Sequence, residues 1–272
     1  MAGKYDKQSA VRAGAKPARP VTIRRDGDIA IVTLNRPEKR NALGDDMVAL
    51  IDAFFSRPPA GVRAVVITGS GDHFSAGLDL STLRVRDVVE GMHHSRSWHA
   101  AFEKIQFGRV PVVAALHGAV IGGGLELAAA CHVRVADATV FYALPEGQRG
   151  IFVGGGGSAR LPRLIGVARM TDMMLTGRVY KADEGERLGV AQYLVAAGTS
   201  LIKAKELARQ IAGNADMTNF AVMHALPRIA DSTQEIGLFT EALVATVASS
   251  APEARARVTA FLEGRAAKVK AG

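Results

Sequence analysis

The 272-residue chain has only one cysteine, Cys131. A lone thiol excludes an intramolecular disulfide. It reads as a small buried apolar residue in a reducing compartment, and so as a cytoplasmic protein. No apolar run is long enough to span a bilayer. The opening stretch MAGKYDKQSAVRAGAKPARP lacks the apolar segment of a secretory signal. Several catalytic signatures are missing too. The glycines Gly122–Gly124 are followed by Leu125 and Glu126, not by the Gly-Lys-Ser/Thr of a phosphate-cradling loop, and they do not fit the dinucleotide fingerprint. "GGSAR" (156–160) and "HFSAG" (73–77) each lack one glycine of a nucleophile elbow. His93, His94 and His99 cluster without an H-E-x-x-H frame or a cysteine pair. They read as solvated or packed side chains, and no metal is expected.

What is present is an ordinary globular composition, 48% hydrophobic and 22% charged, enough for one large core. The net charge of +8 is concentrated at the start: residues 1–25 hold seven Lys/Arg and one acid, Asp6. A basic tail on a mildly basic body is a weak signal for nucleic acid, and no nucleic-acid partner is expected. Such a tail aids solubility or attracts polyanions.

The alternating run DIAIVTL (28–34) predicts a strand, RAVVITG (63–69) a second and PVVAALHG (111–118) a third, with short ones at 132–136 and 139–144. Helical patterns fall between them, at 45–56, about 86–107 and 122–131. Beyond about residue 155 the strand signal fades. Helices are predicted at 168–177 and 181–189, each ended by glycine, and at 199–213, 233–249 and 251–264. The fold class is therefore α/β, followed by helices. The expected organisation is a flexible basic arm over 1–20, a core domain over 21–200 and a helical region over 201–272.

One stretch stands out. In AVIGGGLELAAACHV (119–133) three glycines precede a helix whose only carboxylate, Glu126, lies among apolar residues. Glycine weakens a helix and a buried acid is costly. An acid in a first helical turn has an ordinary explanation in the helix dipole. Three features together give it another. Free amides at a helix start can hold an anion, and glycine lets a substrate atom come close to them. The turn HFSAGLDL (73–80) offers a second amide, at Leu78, so that two donors could form an oxyanion hole. Glu146, in YALPEG (142–147), follows Glu126 by twenty residues. A hairpin-like return from the helix would bring both acids to one cleft, where each shifts the other's proton affinity.

These residues resemble the crotonase, or enoyl-CoA hydratase/isomerase, family. LNRPEKRNAL (34–43), FSAGLDL (74–80), HGAVIGGGLELAAAC (117–131) and LPEGQRGIFVGGGGSARLPRLIG (144–166) are similar, in order and spacing, to its motifs. The resemblance implies a spiral of strand-strand-helix turns with C-terminal helices that associate into homotrimers or hexamers. It implies an acyl-CoA thioester as substrate and coenzyme A as part of that substrate, with no separate cofactor. Glu126 and Glu146 would be the catalytic acids, and the Leu78 and Gly123 amides the oxyanion hole. Ala42, Ala76, Asp79, Leu80, Gly122 and Gly154 would line the substrate path, and Phe261 would approach the coenzyme A of a neighbouring subunit. Departures from the family pattern are Ser81 and Gly264 where lysines are usual, with Arg265 and Lys268 near the latter, Val153 in place of proline and His132 in place of aspartate.

The implied reaction is syn hydration of a 2-enoyl-CoA to a 3-hydroxyacyl-CoA, as in fatty acid metabolism. A hydratase-lyase or isomerase of the same family, and a non-catalytic acyl-CoA-binding protein, are the alternatives. The dienoyl isomerases want an acid eight residues after Glu146, and Gly154 stands there. The segment 81–105 is expected to shape the acyl pocket.

Overall fold

The computed structural model describes residues 19–265. Nearly all of the expected basic arm, and Lys268, lie outside the described residues. Among the described residues nine strands form two sheets. The larger is six-stranded. β1 (Val21–Asp26) and β2 (Ile29–Leu34) form an antiparallel hairpin, and β3 (Ala64–Gly69) and β4 (Val112–Leu116) follow in parallel. β5 (Ala119–Ile121) belongs to the smaller sheet, and β6 (Val133–Asp137) to the larger. β7 (Phe141–Ala143) and β8 (Tyr180–Lys181) complete the smaller sheet, and β9 (Tyr193–Val195) closes the larger.

The helices alternate with these strands. α1 (Asp45–Ser56), α2 (Val88–Gln106) and α3 (Gly123–Ala130) follow β2, β3 and β5. α4 (Gly157–Ile165), α5 (Val167–Thr176) and α6 (Ala182–Leu188) come later, then α7 (Ser200–Ala212). α8 (Asp216–Ala230), α9 (Gln234–Ser250) and α10 (Pro252–Leu262) end the described chain. Two isolated bridges, Leu43 to Leu78 and Ser75 to Val120, carry the small-sheet pairing back toward the N-terminus. Successive turns therefore supply a strand to the large sheet, an extended segment to the small layer, and a helix. This is the spiral that the sequence motifs implied.

Period-two alternation decides the two cores. Val32, Val65, Val112 and Ala114 turn to one face of the large sheet, where they pack with α1, α2 and α3. Ile31, Val66, Val113 and Val135 turn to the other face and meet Ala204, Leu207 and Ala208 of α7. Strands covered on both faces read as continuous apolar runs, which explains why β3 and β4 were legible. The boundary drawn at 200/201 falls at the first turn of α7, whose buried residues belong to this second core.

The strands differ from expectation in several places. The strand predicted at 111–118 is β4, which ends at Leu116; the chain then turns at His117 and Gly118 into β5, a three-residue strand of the other sheet that was not predicted. β1 was not predicted, because VTIRRD is an edge strand with four exposed residues and little apolar contrast. β8 and β9 lie in the region expected to lack strands. With two and three residues, they are too short to show a period.

Cys131 is buried, and burial pushes its thiol up to about 12. His132, next to it, ties three elements together. The Val112 N–H donates to its Nδ1 (3.0 Å), so Nε2 carries the proton and meets the Gln106 carbonyl (3.0 Å). No helix among the described residues is long and apolar enough to cross a membrane.

Candidate active site

The site is built where β5 ends. β5 pairs with β7 in parallel, with Ile121 beside Ala143, and the Gly122 N–H donates to the Ala143 carbonyl at 2.9 Å. The return to Glu146 is therefore not hairpin-like. The chain passes through α3 and β6 before β7 comes back alongside β5. Parallel neighbours end at the same edge of a sheet. That edge holds both the start of α3 and the segment Leu144–Glu146.

Glu126, in the first turn of α3, is 3% exposed. Its Oε1 accepts two backbone hydrogen bonds, from Gly155 N–H and Gly157 N–H, each 2.8 Å. Burial pushes its carboxyl up, and these amides, with the nearby Arg160 guanidinium, pull part of the way back. The glycines are needed for this approach: a Cβ on Gly157 would lie 2.7 Å from the Cγ of Glu126.

Glu146 is 7% exposed, and its Oε2 is buried with no hydrogen-bond partner among the described residues. A buried acceptor without a partner is uncommon. Burial, and then the charge of Glu126, push this carboxyl up to about 7. Two acids thus share one cleft in different settings. One accepts two amide bonds, and the other is desolvated so that its proton comes off only around neutral pH.

Leu78 and Gly123 supply the amides. The Leu43 N–H bonds the Gly77 carbonyl at 2.7 Å, and the Asp79 N–H bonds the Leu43 carbonyl at 2.9 Å. In an extended segment the intervening residue faces the other way, so the Leu78 N–H is turned from Leu43 toward α3. A Cβ on Gly123 would lie 3.5 Å from the Leu78 nitrogen, and one on Gly77 would lie 3.2 Å from the Gly123 nitrogen. Neither N–H bonds a protein acceptor among the described residues.

Leu78, Gly123, Glu126, Glu146 and Gly154 line one cleft of about 380 Å³. Trp98, Ile151, Phe152 and Val153 give it apolar walls, and Arg84 and Arg86 also reach it. The Trp98 indole is fixed by its hydrogen bond to Asp45 (3.1 Å), which also meets His94 (2.7 Å). That pairing accounts for one member of the histidine cluster. Gly122 stands behind Glu146, and Ala42, Ala76 and Leu80 border the Leu43–Leu78 bridge without lining the cleft. Asp79 is engaged structurally. Burial acts to raise its carboxyl, but hydrogen bonds from Ser81 and Lys39 outweigh it and hold it at about 2. Two cations reach Asp79, Lys39 at 2.9 Å and Arg36 at 3.1 Å. Phe261, on α10, is 61% exposed and outside the cleft.

Sequence reasoning missed Ser95 and Arg160, which grip the outer side of the Gly154–Gly157 loop. Ser95 Oγ donates to the Gly154 carbonyl (2.6 Å), and Arg160 Nη1 to the Gly155 carbonyl (3.0 Å). Arg160 lies inside the quoted 144–166 stretch but was given no role there, and no motif marks Ser95. Among the described residues there is no group of His, Cys, Asp or Glu that could hold a metal ion.

An α/β spiral that turns two buried carboxylates and two unbonded amides into one apolar cleft is built for acid–base chemistry beside a developing oxyanion. The chain belongs to the enoyl-CoA hydratase/isomerase family, whose model matches residues 24–271. It is 31% identical to the short-chain-enoyl-CoA hydratase of Clostridium acetobutylicum, over 90% of this chain and 95% of that one. A solved structure from Rhodopseudomonas palustris CGA009 is 57% identical, with a TM-score of 0.89, covering 94% of this chain and 98% of that one. The enoyl-CoA hydratase of Bacillus anthracis is 28% identical with a TM-score of 0.84, covering 90% and 97%.

Proposed function

We propose that this protein is an enoyl-CoA hydratase, adding water in syn fashion to a 2-enoyl-CoA thioester. The observation that carries the reading is the convergence of Glu126 and Glu146 on one cleft that also holds the Leu78 and Gly123 amides. The thioester oxygen accepts hydrogen bonds from the two N–H groups. Glu126, ionised, takes a proton from water as the water oxygen bonds C3. The C2–C3 π electrons move onto the thioester as an enolate, and the two amides hold the charge. Glu146, protonated, then delivers its proton to C2, and exchange with solvent resets both acids. General acid–base catalysis of this kind supplies about 10²–10⁴-fold, and each oxyanion donor about 3–4 kcal/mol.

The coenzyme A arm runs along Ala42, Ala76, Asp79 and Leu80, and the reaction needs no other cofactor. The working form is a homotrimer or hexamer in the cytoplasm, with Phe261 offered to a neighbour's coenzyme A. Exposed apolar side chains on the last three helices, including Phe220, Leu238, Phe239 and Leu243, support association. Mixing the protein with a series of 2-enoyl-CoA thioesters tests the reading. The conjugated thioester absorbance should disappear and 3-hydroxyacyl-CoA should form. No turnover across the series would overturn it.

A further inference from the structure

The Gly154–Gly157 loop separates the cleft from a second cavity of about 580 Å³, which is lined by His99, Gly156 and Arg160 among others. Its peptide units carry Glu126, so their orientation decides where that carboxylate sits. Each unit is planar and trans, with the C=O of one residue pointing opposite to the N–H of the next. Glycine peptides rotate cheaply, and nothing in this loop's own side chains prevents it.

All three units are fastened by their carbonyl ends. The Gly154 carbonyl takes the Ser95 hydroxyl at 2.6 Å, and the N–H of that same unit is the Gly155 donor to Glu126 at 2.8 Å. The Gly155 carbonyl takes Arg160 Nη1 at 3.0 Å, while Arg160 Nε is held by Gln106 Oε1 at 2.7 Å. The Gly156 carbonyl accepts the Ala159 and Arg160 amides, both at 3.2 Å, and its unit ends in the Gly157 donor to Glu126.

Ser95 has one hydroxyl hydrogen, which goes to Gly154. Its 3.3 Å contact with His99 Nε2 therefore makes the imidazole the donor. The result is a chain from His99 to Ser95, through one peptide, to Glu126.

We infer that Ser95 is a positioning residue for catalysis, acting through the 154–155 peptide to aim the Gly155 N–H at Glu126, with Arg160 as the second clamp on the same loop. The inference rests on the proposed hydratase reading for its kinetic consequence, but the ionisation of Glu126 can be read without turnover. Without the Ser95 anchor the Gly154 carbonyl keeps only the nearby His99 ring as a side-chain partner, so the peptide is held less firmly and the Gly155 N–H, a donor that favours the charged form of Glu126, is aimed less well. The Glu126 carboxyl then rises further. The other groups that bear on it are Arg160 on α4 and the Gly154 backbone, and its charge in turn raises Glu146 across the cleft. Burial and the charges of Arg96 and Arg160 hold His99 below its usual range, so it is a neutral donor at physiological pH.

The test compares the full-length wild type with Ser95→Ala, Ser95→Thr and Arg160→Lys. The carboxylate carbons are followed by ¹³C NMR titration, with the Glu126 signal assigned by its loss in Glu126→Gln. Ser95→Ala should raise the Glu126 midpoint by about half a unit or more. It should cut kcat about 10- to 100-fold with KM little changed, and move the acid limb of the rate profile upward. Ser95→Thr, which keeps the hydroxyl, should restore most of both effects, and Arg160→Lys should show a smaller version of them. In a Glu126→Gln background Ser95→Ala should cost nothing further. An unmoved Glu126 midpoint in Ser95→Ala overturns the inference, as does an equal loss in the Glu126→Gln background. A wild type that turns over no enoyl-CoA while its Glu126 midpoint still responds to Ser95→Ala would sink the hydratase reading and leave the positioning role standing.

Discussion

A methyl group on Gly122 would lie 2.5 Å from Oε1 of Glu146, so one residue's lack of a side chain admits the other's carboxylate to the cleft. Gly122 also has φ +51°, the left-handed region that suits glycine. Both demands come from one place in the fold. The chain must leave β5, turn sharply into α3, and leave room for an acid arriving from the parallel neighbour β7.

Gly122→Ala is therefore expected to destabilise the protein by about 1–3 kcal/mol, from backbone strain alone. It should also displace Glu146 and abolish most turnover. Thermal unfolding and steady-state kinetics on the same preparation check this. A variant with wild-type kcat would show that Glu146 is not held at this spot in the working enzyme.

Glu126→Gln and Glu146→Gln should each lower kcat by about 10²–10⁴-fold while leaving enoyl-CoA affinity nearly unchanged. The glutamine oxygen at 126 can still accept the Gly155 and Gly157 amides, so the loop should keep its shape. Calorimetric binding alongside stopped-flow turnover separates the two effects. If both variants run near the wild-type rate, the acid assignments are wrong.

The pH profile follows from Glu146, whose carboxyl sits at about 7. In the proposed reaction hydration uses its protonated form, so kcat/KM for hydration should fall as pH rises above about 7. The reverse dehydration needs it ionised and should gain over the same interval. The fold raises this group above its ordinary value of 4.5, so the native state binds the proton more tightly than the unfolded chain. Its contribution to stability is complete below about 4.5 and is lost as pH climbs through 7. Glu146→Gln should then melt higher than wild type at pH 8 and lose the alkaline limb of the rate profile. A limb that persists in this variant would belong to another group.

His132 gives a stability prediction away from the chemistry. Burial pushes its imidazole down to about 4, so the fold favours the neutral ring. That preference contributes fully above the ordinary value of 6.5 and fades as pH falls from there through 4. His132→Ala leaves the Val112 N–H without its acceptor and should cost about 1–3 kcal/mol at pH 8. KM for the thioester should hardly change. Denaturant unfolding at pH 8 and pH 5 checks both, with the gap between variant and wild type narrowing at the lower pH.

The candidate site residues could be read from the amino-acid sequence, because their signal is local. Three glycines ahead of a helix with one buried acid, a second small-residue turn at 73–80 and an acid at 146 are each visible within a few positions. The strands β2, β3 and β4 were equally plain, since continuous apolar runs mark a sheet covered on both faces. Tertiary structure alone decided how these pieces meet. Whether β7 returns to β5 parallel or as a hairpin is not written in either strand's period, and the parallel choice puts Glu146 beside Gly122. The same holds for Ser95 and Arg160. Their roles are set by the facing of peptide planes in a loop that has no side chains of its own, and that facing exists only once α2 and α4 have packed around it.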